Sequence, residues 1–372
     1  MPTVPTADPA LREALRRLPK TELHLHALGA LRPATVVELA RARGARILPV
    51  AERGLAEGYR FTDLSRFVAF FIGLFELLRT REEFARVTFE ILEDAALQGV
   101  RYAELRWTPV SHIVRGADEQ AMFEGIEAGR ADAERAHGIL SRSIVDFPRS
   151  LSLDTATQAL GIAVRQRVRG VTALDISGDE RAVAADPRFA PIFAEALRNG
   201  LHATAHAGEG AGATSIRGAL DFYGAERIGH GTRLFEDDAL IERLVHEQVP
   251  LEVCPTSNEA LHVVRSVADH PVHDYIARGV ACVISSDDPS LFGTDIVREY
   301  ERLHLEAHLP LATLRALAAA GFDHPFLEDG PTGRETRARL KAFQAEARAW
   351  EPGLADRVPV PVLPTPSVAG DA

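Results

Sequence analysis

Cysteine is almost missing from this 372-residue chain: there are only two, Cys254 and Cys282, each inside an apolar run. That excludes a disulfide framework and a cysteine-based zinc site, and a reducing cytoplasm is the expected compartment. Long apolar runs are missing too. The longest, near residues 67–78, is amphipathic and too short to span a bilayer, and residues 1–20 lack the apolar stretch of a secretory signal. Neither export nor a membrane partner is expected. Positive charge is in deficit, with 42 Lys and Arg against 53 Asp and Glu and a net charge of -11. Such a surface repels phosphate backbones and anionic lipid, so nucleic acid is not an expected partner. What is there, 46% apolar and 26% charged residues, is the balance of a globular chain with ample surface to bury.

Eight short apolar runs with polar ends occupy residues 21–27, 100–109, 140–147, 171–178, 201–209, 227–232, 250–258 and 280–289. Stretches of helical periodicity separate them; in residues 81–98, for example, Phe84, Val87, Phe89, Ile91, Leu92 and Ala95 share one face. The alternation predicts an α/β fold, a (β/α)8 TIM-type barrel whose chemistry lies at the C-terminal ends of its strands. His, Asp, Glu and Asn crowd most of those ends. A doubly wound open sheet would need a phosphate-binding first turn, and the segment with Gly208, Gly210 and Gly212 lacks G-x-G-x-x-G spacing. The gap between the first two runs exceeds what one crossover helix needs, so residues 61–78 predict extra helices near the barrel mouth. One domain is expected over residues 20–350, between an N-terminal extension (1–19) and a Pro-rich tail (351–372). The opening residues and the tail are expected to be extended or disordered.

His24 and His26 stand two apart in the first run, so a strand projects both to one side, as ligands of one metal must. Alone, such a pair is more often incidental. With His206 in the fifth run and Asp287 in the eighth, however, the set becomes three imidazoles and a carboxylate, which suits one Zn2+ per chain with a position left for water. Zinc lowers the pKa of bound water toward neutrality. Glu209 and His230 are candidates for proton handling, although Glu209 taken alone reads rather as an ion-pair member. Gly229 and Gly231 beside His230 serve either close backbone approach or barrel curvature. Asp287 and Asp288 can serve metal and substrate separately only if the chain bends there, and Pro289 makes that bend plausible. His304, Glu306 and His308 resemble fragments of zinc signatures whose other halves are missing; the two histidines read as a solvated helix face. His202 reads as a core residue.

The segments K-x-E-L-H-x-H, H-A-G-E (206–209), R-I-G-H-G (227–231), C-P-T-S-N (254–258) and S-D-D-P (286–289), in that order, resemble the adenosine deaminase family of the amidohydrolase superfamily. The resemblance implies zinc on His24, His26, His206 and Asp287, and water adding to C6 of a 6-aminopurine. It makes His230 the base or hydroxide stabiliser and Glu209 the proton donor to N1. Asp288 would bind N7 and the backbone N–H of Gly178 would meet N3. Protonating N1 during the attack avoids building a full ring anion. A member that has lost catalysis and only binds ligands is the non-enzyme alternative, against which stands the retention of every one of these residues.

One position departs from the family pattern. The second histidine is usually followed by Leu, an acid and Gly, and that acid holds the ribose 5'-hydroxyl. Here Ala27, Leu28 and Gly29 follow His26. Leucine there removes a charge-assisted hydrogen bond of roughly 1.5–3 kcal/mol, which disfavours adenosine and favours an apolar 5'-substituent. One branch of the family deaminates aminodeoxyfutalosine, a 5'-extended adenosine of a menaquinone route. The alternative is adenosine or adenine deamination in purine salvage. Phe67, Phe70, Phe71 and Phe75 could line a wall for the extension, though helical spacing favours core packing for most of them. Arg149 or Arg66 could meet the substrate's carboxylate.

Overall fold

The structure is a computed structural model that describes residues 8–59, 64–181 and 183–353, with the backbone only for residues 64–68. Eight parallel strands follow one another around a barrel: β1 (Lys20–His26), β2 (Val100–Trp107), β3 (Leu140–Pro148), β4 (Val171–Ser177), β5 (His202–Ala207), β6 (Arg227–His230), β7 (Leu251–Val253) and β8 (Cys282–Ile284). The expected (β/α)8 barrel is therefore the observed architecture. β8 meets β1 beyond its own end: His26 N–H donates to Asp287 O at 2.9 Å and Asp287 N–H to His24 O at 3.0 Å. The seam of the barrel thus holds two ligand candidates against a third.

The strands are apolar on the face that meets the helices, where Leu23, Leu25, Leu105, Val145, Leu174 and Ile228 are buried. Parallel strands in a barrel are covered on both faces, which is why each run reads as nearly continuous apolar sequence. Between β1 and β2 lie the helices Pro33–Arg43, Leu48–Glu57, Leu64–Leu74 and Arg81–Leu97, the extra helices that the long gap predicted. The last begins on a capping box between Thr80 and Glu83 and buries Phe84, Val87, Ile91, Leu92 and Ala95. Phe70 and Phe75 are buried and Phe71 packs partly buried against the same core. Phe75 meets the His112 ring edge-on at 5.0 Å, so the described aromatics of this segment serve packing. The side chains of Arg66 and Phe67 lie outside the described residues.

Two expectations change. Residues 9–17, expected as extended chain, form the helix Pro9–Arg17, capped by Asp8 and burying Leu11, Ala14 and Leu15. Pro9 preorganises its first turn, and Trp350 Nε1 donates to Ala14 O at 3.2 Å, tying it to the last helix. Residues 1–7 and 354–372 lie outside the description. His304, expected on a solvated face, is buried and its Nδ1 donates to Leu309 O at 2.8 Å. His202 is half-buried, stacked on Phe326 at 4.6 Å and paired with Glu226. Among the described residues no helix is long and apolar enough to cross a membrane.

Candidate metal and catalytic site

β1 and β5 bring His24, His26 and His206 to one point. His206 Nε2 lies 3.1 Å from both His24 Nε2 and His26 Nε2, and Asp287 Oδ1 lies 3.4 Å from the Nε2 of His24 and of His26. Around a tetrahedral zinc with bonds near 2.0–2.1 Å, neighbouring ligand atoms stand roughly 3.3–3.4 Å apart. The other ring nitrogens explain why a cation suits this cluster. His24 Nδ1 pairs with Glu252 Oε2 at 2.7 Å and His206 Nδ1 with Asp175 Oδ2 at 3.2 Å. Carboxylates can only accept, so each Nδ1 carries a proton and each Nε2 is the nitrogen left to turn a lone pair inward to a metal. Lone pairs 3.1 Å apart repel unless a cation sits between them. Burial, reinforced by His206 and His24 against the pull of Asp287, holds His26 well below the usual histidine range and hence neutral, as a ligand must be.

The bend that frees Asp287 from Asp288 is made at Asp287 itself, whose φ is 65°, and the helix Pro289–Phe292 starts immediately after. Ser257 Oγ donates to Asp287 Oδ2 at 2.6 Å, leaving Oδ1 toward the histidines. His230 also has positive φ, 62°. Two non-glycine residues in this region at one site are strain held by the surrounding structure. Gly229 is a glycine for space: a Cβ there would stand 2.9 Å from His24 Cε1 and 3.2 Å from the His206 backbone.

Glu209 sits on the loop after β5, partly open, with Oε1 3.7 Å from His230 Nε2. Its loop is fixed by the buried carboxylate of Glu180, which accepts from the N–H groups of Gly208, Glu209, Gly210 and Ala211 at 2.7–3.2 Å and from Ser215 Oγ. Asp288 is buried, and its Oδ1 has no hydrogen-bond partner among the described residues. Burial, then Asp287 and Glu209, push its carboxyl well above the usual range, a rise that a divalent cation among the histidines would oppose. Gly29 gives Asp288 its room, since a Cβ there would fall 1.7 Å from Oδ1. Gly178 lies exposed just past β4 at φ 91°. Leu28 is buried in the turn after β1.

Arg149 is not placed for a substrate carboxylate. It is buried and donates to the carbonyls of His206, at 2.5 Å, and of Ser177, Val183 and Ile176 at 3.3–3.5 Å.

Several residues of the site were not singled out from sequence. Under the histidines, Arg106 bridges Asp175 (2.8 Å) and Glu252 (2.5 Å), and Arg227 bridges Glu252 (2.7 Å) and Glu104. These five charges are fully buried and alternate in sign across the barrel. Their signal was present: a charge in the middle of an apolar run, as in V-T-A-L-D-I-S or L-E-V, is rarely buried unless paired.

An eight-stranded parallel barrel that gathers imidazoles and carboxylates at its C-terminal mouth defines a metal-dependent hydrolase scaffold. The sequence matches the adenosine deaminase family over residues 19–336, and the chain belongs to that family, whose members are hydrolytic deaminases acting on the aminopurine C–N bond. It is 38% identical to the aminodeoxyfutalosine deaminase of Streptomyces coelicolor, over 90% of this chain and 85% of that one. It is 37% identical to the adenine deaminase of the same organism, over 91% and 97%. Among solved structures, a zinc-bound amidohydrolase from Burkholderia ambifaria superimposes with a TM-score of 0.85 at 27% identity, covering 95% of this chain and 97% of that one.

Proposed function

We propose that this purine deaminase uses one zinc per chain and that its preferred substrate is aminodeoxyfutalosine. The observation that carries the substrate choice is Leu28, buried where the family places the acid for a ribose 5'-hydroxyl. The 38% identical aminodeoxyfutalosine deaminase supports it. His24, His26, His206 and Asp287 would hold the metal, which when bound supplies hydroxide near neutral pH. The remaining steps fall to the chain. Asp288 Oδ1 and the Gly178 N–H hold the purine edge at N7 and N3, turning N1 toward Glu209 and C6 toward the metal. Glu209 gives its proton to N1 as hydroxide adds to C6; the proton of the new C6 hydroxyl then passes by way of the Glu209 carboxylate to the amino nitrogen, C6=O forms as the C6–N bond breaks, and ammonia leaves. His230 faces the water as its base or its hydrogen-bond donor.

Free adenine is the specific second reading, because a base without ribose has no 5'-hydroxyl to miss and an adenine deaminase is nearly as similar. A substrate panel of aminodeoxyfutalosine, methylthioadenosine, adenosine, adenine and N6-methyl-AMP, followed by the ultraviolet change from aminopurine to hypoxanthine, separates them. The expected kcat/KM for aminodeoxyfutalosine is at least about tenfold above adenosine, and Leu28→Glu narrows that ratio. If adenosine or adenine is the better substrate, the reading of Leu28 is wrong. Metal analysis should find about one zinc per chain. Full activity with less than about half an equivalent after zinc supplementation would remove the metal from the mechanism.

A further inference from the structure

Behind His230 runs a chain of buried groups that starts at a backbone donor. The N–H of Val272 donates to His270 Nδ1 at 3.1 Å, and His270 Nε2 lies 3.1 Å from Asn258 Oδ1. Thr232 Oγ1 lies 3.0 Å from the same oxygen, and Asn258 Nδ2 lies 3.2 Å from His230 Nδ1. All four side chains are buried, so each of these groups depends on the partners named.

A backbone N–H cannot accept, so His270 Nδ1 must be unprotonated, and the ring's proton sits on Nε2. Nε2–H then requires an acceptor, which makes the facing atom of Asn258 its oxygen. The opposite amide orientation would set N–H against N–H. With the oxygen assigned, the NH2 of Asn258 faces His230 and donates, so His230 Nδ1 accepts. A neutral His230 therefore carries its proton on Nε2, the nitrogen nearest Glu209. Desolvation, with His230 adding to it, holds His270 down at about 3, which keeps this first ring neutral.

We propose that His270 and Asn258 are positioning residues that lock His230 as an Nε2–H donor, a reading that rests on His230 belonging to the reacting site. Two consequences follow. A protonated Nε2 has no lone pair, so His230 is excluded from the metal's ligands although it lies close to His24 and Asp287. It also acts on the attacking water as a hydrogen-bond donor, stabilising developing negative charge, rather than as the base that removes a proton.

Asn258→Asp inverts the last link with little change of shape, because a carboxylate oxygen now faces His230 Nδ1 and draws the proton there. The expected result is a loss of about 10²-fold or more in kcat on whichever aminopurine the wild type accepts, with KM and zinc content within about twofold. His270→Leu removes the donor and should lose activity similarly, while His270→Gln keeps both a donor and an acceptor and should recover most of it. In zinc-loaded protein labelled with ¹⁵N-histidine, His230 should show a protonated Nε2 and bare Nδ1, and the pattern should reverse in Asn258→Asp. A wild-type His230 protonated on Nδ1 would overturn the proposal even if no variant folds. So would unchanged kcat in both Asn258→Asp and His270→Leu, or loss of zinc in step with activity. A wild type inactive on every aminopurine would instead sink the proposed function and leave the tautomer measurement standing.

Discussion

Glu209→Gln lowers kcat by roughly 10²- to 10⁴-fold while metal content stays at its wild-type level. The separation follows from where Glu209 is held. Its loop hangs on the five donors gathered by Glu180, and its carboxylate lies beside His230 rather than among the converging Nε2 atoms. Glutamine keeps the length and the polar contacts of the side chain but has no proton to give to N1. Without that proton, addition at C6 must place a full negative charge on the ring. KM should move little, because Asp288 and Gly178 carry the purine contacts in this reading. Asp287→Ala should do the reverse and weaken metal binding first, since Asp287 Oδ1 lies 3.4 Å from two histidines. Steady-state kinetics with metal analysis on the same preparations distinguish the two. A Glu209→Gln enzyme with near-normal kcat would make Glu209 a structural residue of its loop.

How much of this was legible in the sequence depended on how local each signal is. All eight strands were readable because each run is apolar through its length and polar at its end. Their lengths were less so. The runs at 250–258 and 280–289 contain strands only at Leu251–Val253 and Cys282–Ile284, because a helix starts at Pro255 just after the first and the chain after Ile284 turns polar and bends at Asp287. The convergence of His24, His26, His206 and Asp287 could be anticipated because each lies at or just past the C-terminal end of its strand, at the same barrel mouth. Asp175, Glu252 and Arg106 could not be paired in advance, since their partners lie on strands 69 and 146 residues away. The chain behind His230 was equally hidden: His270 has a role only because the Val272 amide fixes its tautomer, a fact of backbone geometry. The Pro9–Arg17 helix was missed although its cap and its Leu11, Ala14, Leu15 spacing were readable; Pro-rich flanking sequence outweighed them.

Arg106→Met should destabilise the fold by about 3–5 kcal/mol near neutral pH and weaken metal binding by roughly 10- to 100-fold. Arg106 is fully buried between Asp175 and Glu252, and its Nη1 donates to Leu23 O at 2.5 Å in β1. Methionine fills much of the space yet leaves two buried carboxylates short of a cation and the Leu23 carbonyl short of a donor. Those carboxylates also set Nδ1 of His206 and His24, which is how the loss reaches the metal. The pH dependence has a definite sign. Burial alone would raise both acids, but His206 and Arg106 outweigh it at Asp175, and Arg106 and Arg227 outweigh it at Glu252, so both are held well below the usual carboxylate range. Groups depressed in the folded state contribute stability that is fully present above their unfolded values, about 4, and is lost as pH falls through the folded ones. The gap between wild type and Arg106→Met should therefore be widest near pH 7 and narrow below about pH 4, where the unfolded carboxylates take up protons. Urea unfolding of both proteins from pH 7 to pH 3 measures it. A gap under about 1 kcal/mol at pH 7, or one that widens with acid, would mean that Arg227 and the metal histidines hold these carboxylates without Arg106.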